Sequence, residues 1–140
     1  MIRTTSQLIA LHGGLEDRLA EILRAQAQLH PEAAGVLSRL ADEDIQHKEM
    51  ILKVYREGVT DAFEVGFLSK PMDEDEYTVR EPKGSLGSAI KTILLNEDTV
   101  ARFCKEAAKD ANQLIPSLPQ TFLRLAKRKE KRRALLESLA

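Results

Sequence analysis

The chain has a single cysteine and no long apolar run, and these two shortages exclude several classes of protein. One cysteine, Cys104, cannot form an internal disulfide or a two-pair CxxC metal site, and it fits a reducing compartment. No apolar run reaches membrane-spanning length, and the first residues, MIRTTSQLIALHGG, lack a signal-peptide pattern. We therefore expect a cytoplasmic protein with no membrane segment.

Aromatic residues are also scarce, at 4%, which bears on the uneven distribution of charge. From Pro119 onward there are seven Lys or Arg against two Glu, whereas residues 1–118 hold fourteen basic and twenty acidic side chains. A basic end can bind nucleic acid, but single strands also need aromatic platforms, and only Phe122 lies near the basic stretch. We expect the basic end to meet the acidic body of the same molecule, with nucleic-acid binding as the weaker alternative.

The residues that are present predict helices. An apolar fraction of 43%, a charged fraction of 31% and a length of 140 residues indicate one globular domain, 1–140, with its own core. No stretch alternates for long at a period of two, so we expect little or no sheet. Helical periodicity, with start and stop signals at Thr4, Gln7 and Pro31, predicts helices at about 5–29, 32–57, 86–112 and 118–139.

The connections between these helices differ in length. Helices one and two, and helices three and four, are joined by a few residues, so each pair should form an antiparallel hairpin. Residues 58–85 form a long connection, which suggests a crossover along the length of a four-helix bundle. Its apolar residues Phe63, Phe67 and Leu68 could cover either the bundle or a second chain, and we expect them to pack back onto the bundle. The predicted fold class is all-α.

The two hairpins resemble one another in sequence. LEDRLAEILRAQA aligns with NEDTVARFCKEAA, and RLADEDIQHKEMI aligns with RLAKRKEKRRALL. In this alignment Asp44 corresponds to Lys129, and His47 corresponds to Arg132. The alignment indicates that one helical hairpin occurs twice in the chain.

Each predicted helix carries ionisable residues in the middle of its apolar stripe. The stripe of the last helix, at steps of three and four, consists of Phe122, Leu125, Lys129, Arg132, Leu136 and Leu139. The corresponding residues of the first three helices are Glu16, Asp44, His47 and Glu97. Because an unpaired buried charge is very costly, Lys129 and Arg132 should meet and compensate the carboxylates in one layer. His47 is either a satisfied core histidine or a metal ligand, His12 is expected to be a structural neighbour, and Glu43 is expected in solvent.

On these residues the sequence resembles the ferritin-like superfamily, specifically small rubrerythrin-type proteins, across nearly the whole chain. The segment SLGSAIKTILLNEDTVARFCKEAAKDA is similar to the third helix of that family, which places Glu97 at a ligand position, and Glu16 falls at the equivalent place in helix one. The family holds two irons with one Glu from each of these helices and a Glu-x-x-His from each of helices two and four. Asp44 and His47 take the place of the second-helix motif, whereas Lys129 and Arg132 replace the Glu and His of helix four.

The departure in helix four changes the function that the resemblance implies. Lysine and arginine have no lone pair to give, and a divalent ion about 4 Å from one cation is opposed by about 8 kcal/mol at an effective dielectric of about 20. We expect no catalytic residue and no full diiron centre, but a scaffold or interaction protein with a buried salt-bridge layer. The alternative is an oxidoreductase or iron-handling protein that keeps one divalent ion, iron first, on Glu16, Asp44, His47 and Glu97. The resemblance favours a homodimer, and a further protein partner stays open.

Overall fold

The structure is a computed structural model that describes residues 1–59, 66–111 and 115–140. Within these ranges the chain is mostly helical, and its four long helices are α1 (Thr5–Leu29), α2 (Ala34–Gly58), α3 (Leu86–Asp110) and α4 (Ser117–Glu137). The predicted helices are confirmed, with ends that differ from the observed ones by about two residues or fewer. No helix in the described part of the chain is both long enough and apolar enough to cross a bilayer.

Local signals in the sequence explain where the helices begin. At the start of α1, the hydroxyl of Thr4 accepts a hydrogen bond from the backbone N–H of Gln7, and the Gln7 side chain accepts one from the backbone N–H of Thr4. This reciprocal pair is the predicted capping box. Ser85 caps α3 by accepting from the backbone N–H of Ser88. The 3₁₀ turn Pro31–Ala33, which the sequence placed partly inside the second helix, precedes α2.

The helices form two antiparallel hairpins. In the first hairpin, Asp17 of α1 pairs with Lys48 of α2, and Arg24, further along α1, pairs with Asp42, earlier in α2. In the second hairpin, Asp98 of α3 contacts Arg133, near the end of α4, whereas the later Lys105 contacts the earlier Glu130. These pairings show that each short connection reverses the chain direction.

The second and third helices run in the same direction. Arg132 of α4 donates to the carbonyl of Leu40, while Arg128 donates to Met50, so α4 is antiparallel to α2 as well as to α3. The chain must therefore return along the bundle between α2 and α3. Its path follows α3 in the opposite direction: Ser69 donates to Asp110, Tyr77 donates to Glu106, and the backbone N–H of Arg80 donates to the Asn96 side chain.

The crossover contains a short strand that the sequence did not predict. Strand β1 (Ile2–Thr4) pairs antiparallel with β2 (Phe67–Met72), and Ile2 lies opposite Met72. The apolar side chains of the crossover divide between the core and the surface. Leu68 is buried in the core, as expected, whereas Phe67 is 72% exposed, so the expectation that it covers the bundle was wrong. Phe63 lies outside the described residues.

The buried apolar residues form two clusters, one towards each end of the bundle. One cluster lies around Leu8, Ile51, Phe103 and Phe122, near the start of α1 and the start of α4. The other cluster contains Leu23, Leu37, Ile90 and Leu136. The predicted polar residues lie between these clusters along all four helices. The fold therefore places the polar layer at mid-length, closed off from the ends by apolar side chains.

Candidate functional site

The structure brings six predicted residues together in one buried layer. Each comes from the middle of a helix, so its position is fixed by the backbone on both sides rather than by a loop. All four helices contribute, and the side chains of all six residues are buried: Glu16 from α1, Asp44 and His47 from α2, Glu97 from α3, and Lys129 and Arg132 from α4. Each of the six is therefore removed from bulk water, so its polar atoms depend on contacts within the protein.

Lys129 is at the centre of the layer. Its ammonium nitrogen Nζ lies 2.6 Å from Glu16 Oε1, 3.1 Å from Asp44 Oδ1 and 3.9 Å from Glu97 Oε2. Burial opposes the charged form, but the three surrounding carboxylates outweigh it and raise the pKa of Lys129 above its ordinary value. Lys129 is therefore a permanent cation with three acidic neighbours.

Arg132 holds the other side of the layer. Its Nη1 lies 2.6 Å from Asp44 Oδ1 and 2.8 Å from Glu97 Oε1, and its Nη2 donates to the carbonyl of Leu40 at 3.3 Å. The same Nη2 lies 3.2 Å from Glu43 Oε1, and the Glu43 side chain is 40% exposed. Glu43 was expected in solvent. The long side chain instead reaches back from the edge of the stripe to the guanidinium, a contact that helical spacing alone does not reveal.

The two histidines of the layer are held differently. His12 Nε2 lies 3.0 Å from Glu16 Oε2, which is the structural contact that the sequence predicted for a neighbour one turn away. His47 Nδ1 lies 3.7 Å from both Glu16 Oε2 and Asp44 Oδ1 and forms no hydrogen bond within the described part of the chain. Burial, together with the positive charge of Lys129, lowers the pKa of His47 to about 3. His47 is therefore neutral at physiological pH and adds no positive charge to the layer.

The three carboxylates and two permanent cations of the layer do not balance. Burial raises the pKa of Glu16, but Lys129 and His12 outweigh it and lower the value to about 2, so Glu16 is ionised. Burial raises the pKa of Asp44 to about 7, and the negative charge of Glu97 adds to this effect. Asp44 Oδ1 accepts from both cations while its Oδ2 has no partner in the described residues, which leaves Oδ2 as the place for a proton. A proton on Asp44 makes the five charged groups neutral overall.

Part of the layer could instead hold a metal ion. Glu16, Asp44 and His47 each offer one ligand atom, and these three atoms all lie within 4.8 Å of one another. Two carboxylates and an imidazole suit a divalent transition metal such as iron, manganese or zinc. Glu97, the fourth residue predicted for a mononuclear site, lies outside this group and accepts from Arg132 through Oε1.

Comparison of the chain with protein-family models, curated proteins and solved structures gives no match. The geometry of the layer still limits its chemistry. The ammonium group of Lys129 donates to Glu16 Oε1 and Asp44 Oδ1, and it cannot act as a ligand while protonated. A metal held by Glu16, Asp44 and His47 would therefore share both carboxylates with a permanent cation.

Proposed function

We propose that this protein is a ferritin-like four-helix bundle that works without a dinuclear iron site, as a scaffold or interaction module. The observation that carries the proposal is the position of Lys129 Nζ, within 3.9 Å of carboxylate oxygens from three different helices. In rubrerythrin-type proteins, which the sequence resembles, carboxylates in such a layer surround iron. Here a covalently attached cation takes the place of the metal.

Two further features support the ferritin-like assignment. Helices α2 and α3 run in the same direction and are joined by a crossover that follows α3, which is one of the known ways to close a four-helix bundle. The internal repeat aligns the Asp44 and His47 pair with the Lys129 and Arg132 pair. The second hairpin accordingly carries cations where the first carries an acid and an imidazole.

A second candidate function rests on the cluster of Glu16, Asp44 and His47. These residues could bind one divalent ion, iron in the first place, and the protein would then be an oxidoreductase or an iron-handling protein. The ion would have to share the carboxylates of Glu16 and Asp44 with Lys129. Electrostatic repulsion by Lys129 and Arg132 is the reason that we rank this function second.

Metal analysis of protein purified without a histidine tag separates the two functions. We expect far less than one ion per chain, and we expect no shift in melting temperature when ferrous iron, Mn²⁺ or Zn²⁺ is added under anaerobic conditions. His47→Leu is the matched variant, because it removes one ligand and leaves both cations in place. One ion per chain in the parent, lost in His47→Leu, would overturn the scaffold assignment in favour of metal binding.

A further inference from the structure

A positively charged cleft lies between α2 and α4, directly outside the buried layer. It has a volume of about 310 Å³, and Arg39, Arg128, Lys131 and Arg132 line it together with one acid, Glu43. Clefts between helices are common places for small ligands, and low-dielectric walls concentrate the field of charges of one sign. Three of these cations, Arg39, Arg128 and Lys131, are exposed, and their positive charge gives the cleft a preference for anions.

The cations of the cleft differ in how firmly they are held. Arg132 is the buried one, and its guanidinium already donates to Asp44, Glu97, Glu43 and the Leu40 carbonyl, so it contributes positive charge rather than free Nη donors. Arg39, Arg128 and Lys131 are exposed, and none of them forms an ion pair with any described residue. These three side chains are therefore available to an incoming anion.

We propose that this cleft binds a phosphate group, carried by a small phosphorylated molecule. Planar guanidinium groups present paired N–H donors that match the oxygens of phosphate, and Arg39 and Arg128 supply two of them from different helices. A doubly charged phosphate gains more electrostatic binding energy than a singly charged carboxylate, because the cleft presents three cations that have no ion-pair partner among the described residues. This site is independent of the proposed scaffold function, since it requires neither the presence nor the absence of metal in the layer.

The test uses inorganic pyrophosphate as the probe, titrated by calorimetry at constant ionic strength. The parent should show one saturable site, and acetate should bind much more weakly. The double variant Arg128→Gln/Lys131→Gln should weaken pyrophosphate binding by about tenfold or more, since each lost charge-assisted contact is worth a sizeable part of the affinity. The matched control is Arg124→Gln/Lys127→Gln, which removes two exposed cations of the same helix outside the cleft and should change the affinity by less than about twofold.

Glu43 supplies a variant that should strengthen binding. Glu43→Gln removes the one acid that lines the cleft and should raise the affinity for pyrophosphate by about threefold, an effect that damage to the fold would not produce. Absence of saturable binding in the parent, equal losses in the two double variants, or no gain in Glu43→Gln would each overturn the proposal. A single-stranded oligonucleotide that binds more tightly than pyrophosphate, and that responds equally to both double variants, would also overturn it in favour of a diffuse polyanion surface.

Discussion

The ammonium nitrogen of Lys129 lies 2.6 Å from the carboxylate oxygen Oε1 of Glu16, and neither side chain is exposed to solvent. The two residues belong to the last and the first helix of the bundle. A buried ion pair of this kind adds little net stability, because removing two charges from water costs about as much as their attraction returns. Loss of one partner alone is strongly destabilising, because the other charge is then left buried without compensation.

Replacement of Lys129 should therefore be far more damaging than replacement of a neighbouring surface lysine. We expect Lys129→Ala to lower the free energy of unfolding by about 3–5 kcal/mol, because Glu16 and Asp44 lose their shared cation. Lys127→Ala, on the exposed side of α4, should change it by less than about 0.5 kcal/mol. Urea unfolding monitored by circular dichroism gives both values, and equal values for the two variants would contradict the structure of the layer.

A double-mutant cycle tests whether the stability loss comes from unpaired charge. Glu16→Gln keeps the shape of the side chain but removes its charge, so in this background Lys129→Met should be less destabilising than in the parent. We expect a coupling free energy of at least about 1 kcal/mol between the two positions, measured by the same unfolding experiment. Additive effects would mean that Lys129 contributes mainly through packing.

The free energy of unfolding should fall as the pH is lowered into the acid range. The pKa of Glu16 is lowered to about 2 and that of His47 to about 3, so in both cases the unfolded chain binds protons before the folded one does as the pH falls. The two effects add below the ordinary Glu value of 4.5, and the free energy of unfolding should fall most steeply between pH 3.8 and pH 3, where Asp44 no longer offsets them. Urea midpoints measured across this window check the prediction, and a flat profile would contradict it.

Asp44 should act in the opposite direction at higher pH. Its pKa is raised to about 7, so the folded chain keeps a proton that the unfolded chain has released, and Asp44 lowers stability as the pH rises from 3.8 towards 7. Up to about pH 6.5 this loss offsets the gain from His47, which gives a plateau. Asp44→Asn mimics the protonated form and should remove the loss near pH 7, while Glu16→Gln should leave it in place.

Three substitutions should rebuild a dinuclear ligand set if the second hairpin is an altered copy of the first. Lys129→Glu and Arg132→His introduce the missing motif, and Asp44→Glu lengthens the carboxylate of α2. Without metal the triple variant should be less stable than the parent, because four carboxylates would share a buried layer without the two cations. Ferrous iron under anaerobic conditions should restore stability, since only the folded state presents the assembled site. Thermal melts and iron stoichiometry provide the measurement, and iron binding no greater than that of the parent would contradict the shared site.

Much of the buried layer could be predicted because helical spacing projects directly onto a helix face. Glu16, Glu97 and Lys129 each lie on a helix stripe that also carries large apolar residues, and a residue on such a stripe is buried when the helix joins a bundle. Residues three and four apart lie on the same face of a helix. A polar residue in the middle of that face therefore meets the polar residues in the middle of the neighbouring helices.

Features that depend on side-chain conformation or on contacts between distant segments could not be predicted in this way. The contact of Glu43 with Arg132 depends on two flexible side chains that bend around the edge of a helix. Strand β1 has only three residues, too few for an alternating pattern, and its pairing with β2 joins segments far apart in the chain. Phe67 was expected to be buried because it is apolar, but its side chain points away from the core while that of its neighbour Leu68 points in, as successive strand residues do.

The carboxylates and the cations of the layer are distributed unevenly between the two hairpins, and this distribution favours pairing of a first hairpin with a second one. The first hairpin brings Glu16 and Asp44 to the layer and no permanent cation, whereas the second brings Lys129 and Arg132 with only Glu97. Two first hairpins together would bury four carboxylates, and two second hairpins would bury four cations against two carboxylates. Only the mixed pair approaches neutrality. Two chains that exchanged halves would therefore keep the charges of the layer close to balance only by joining unlike hairpins, although the two hairpins are similar in length and sequence.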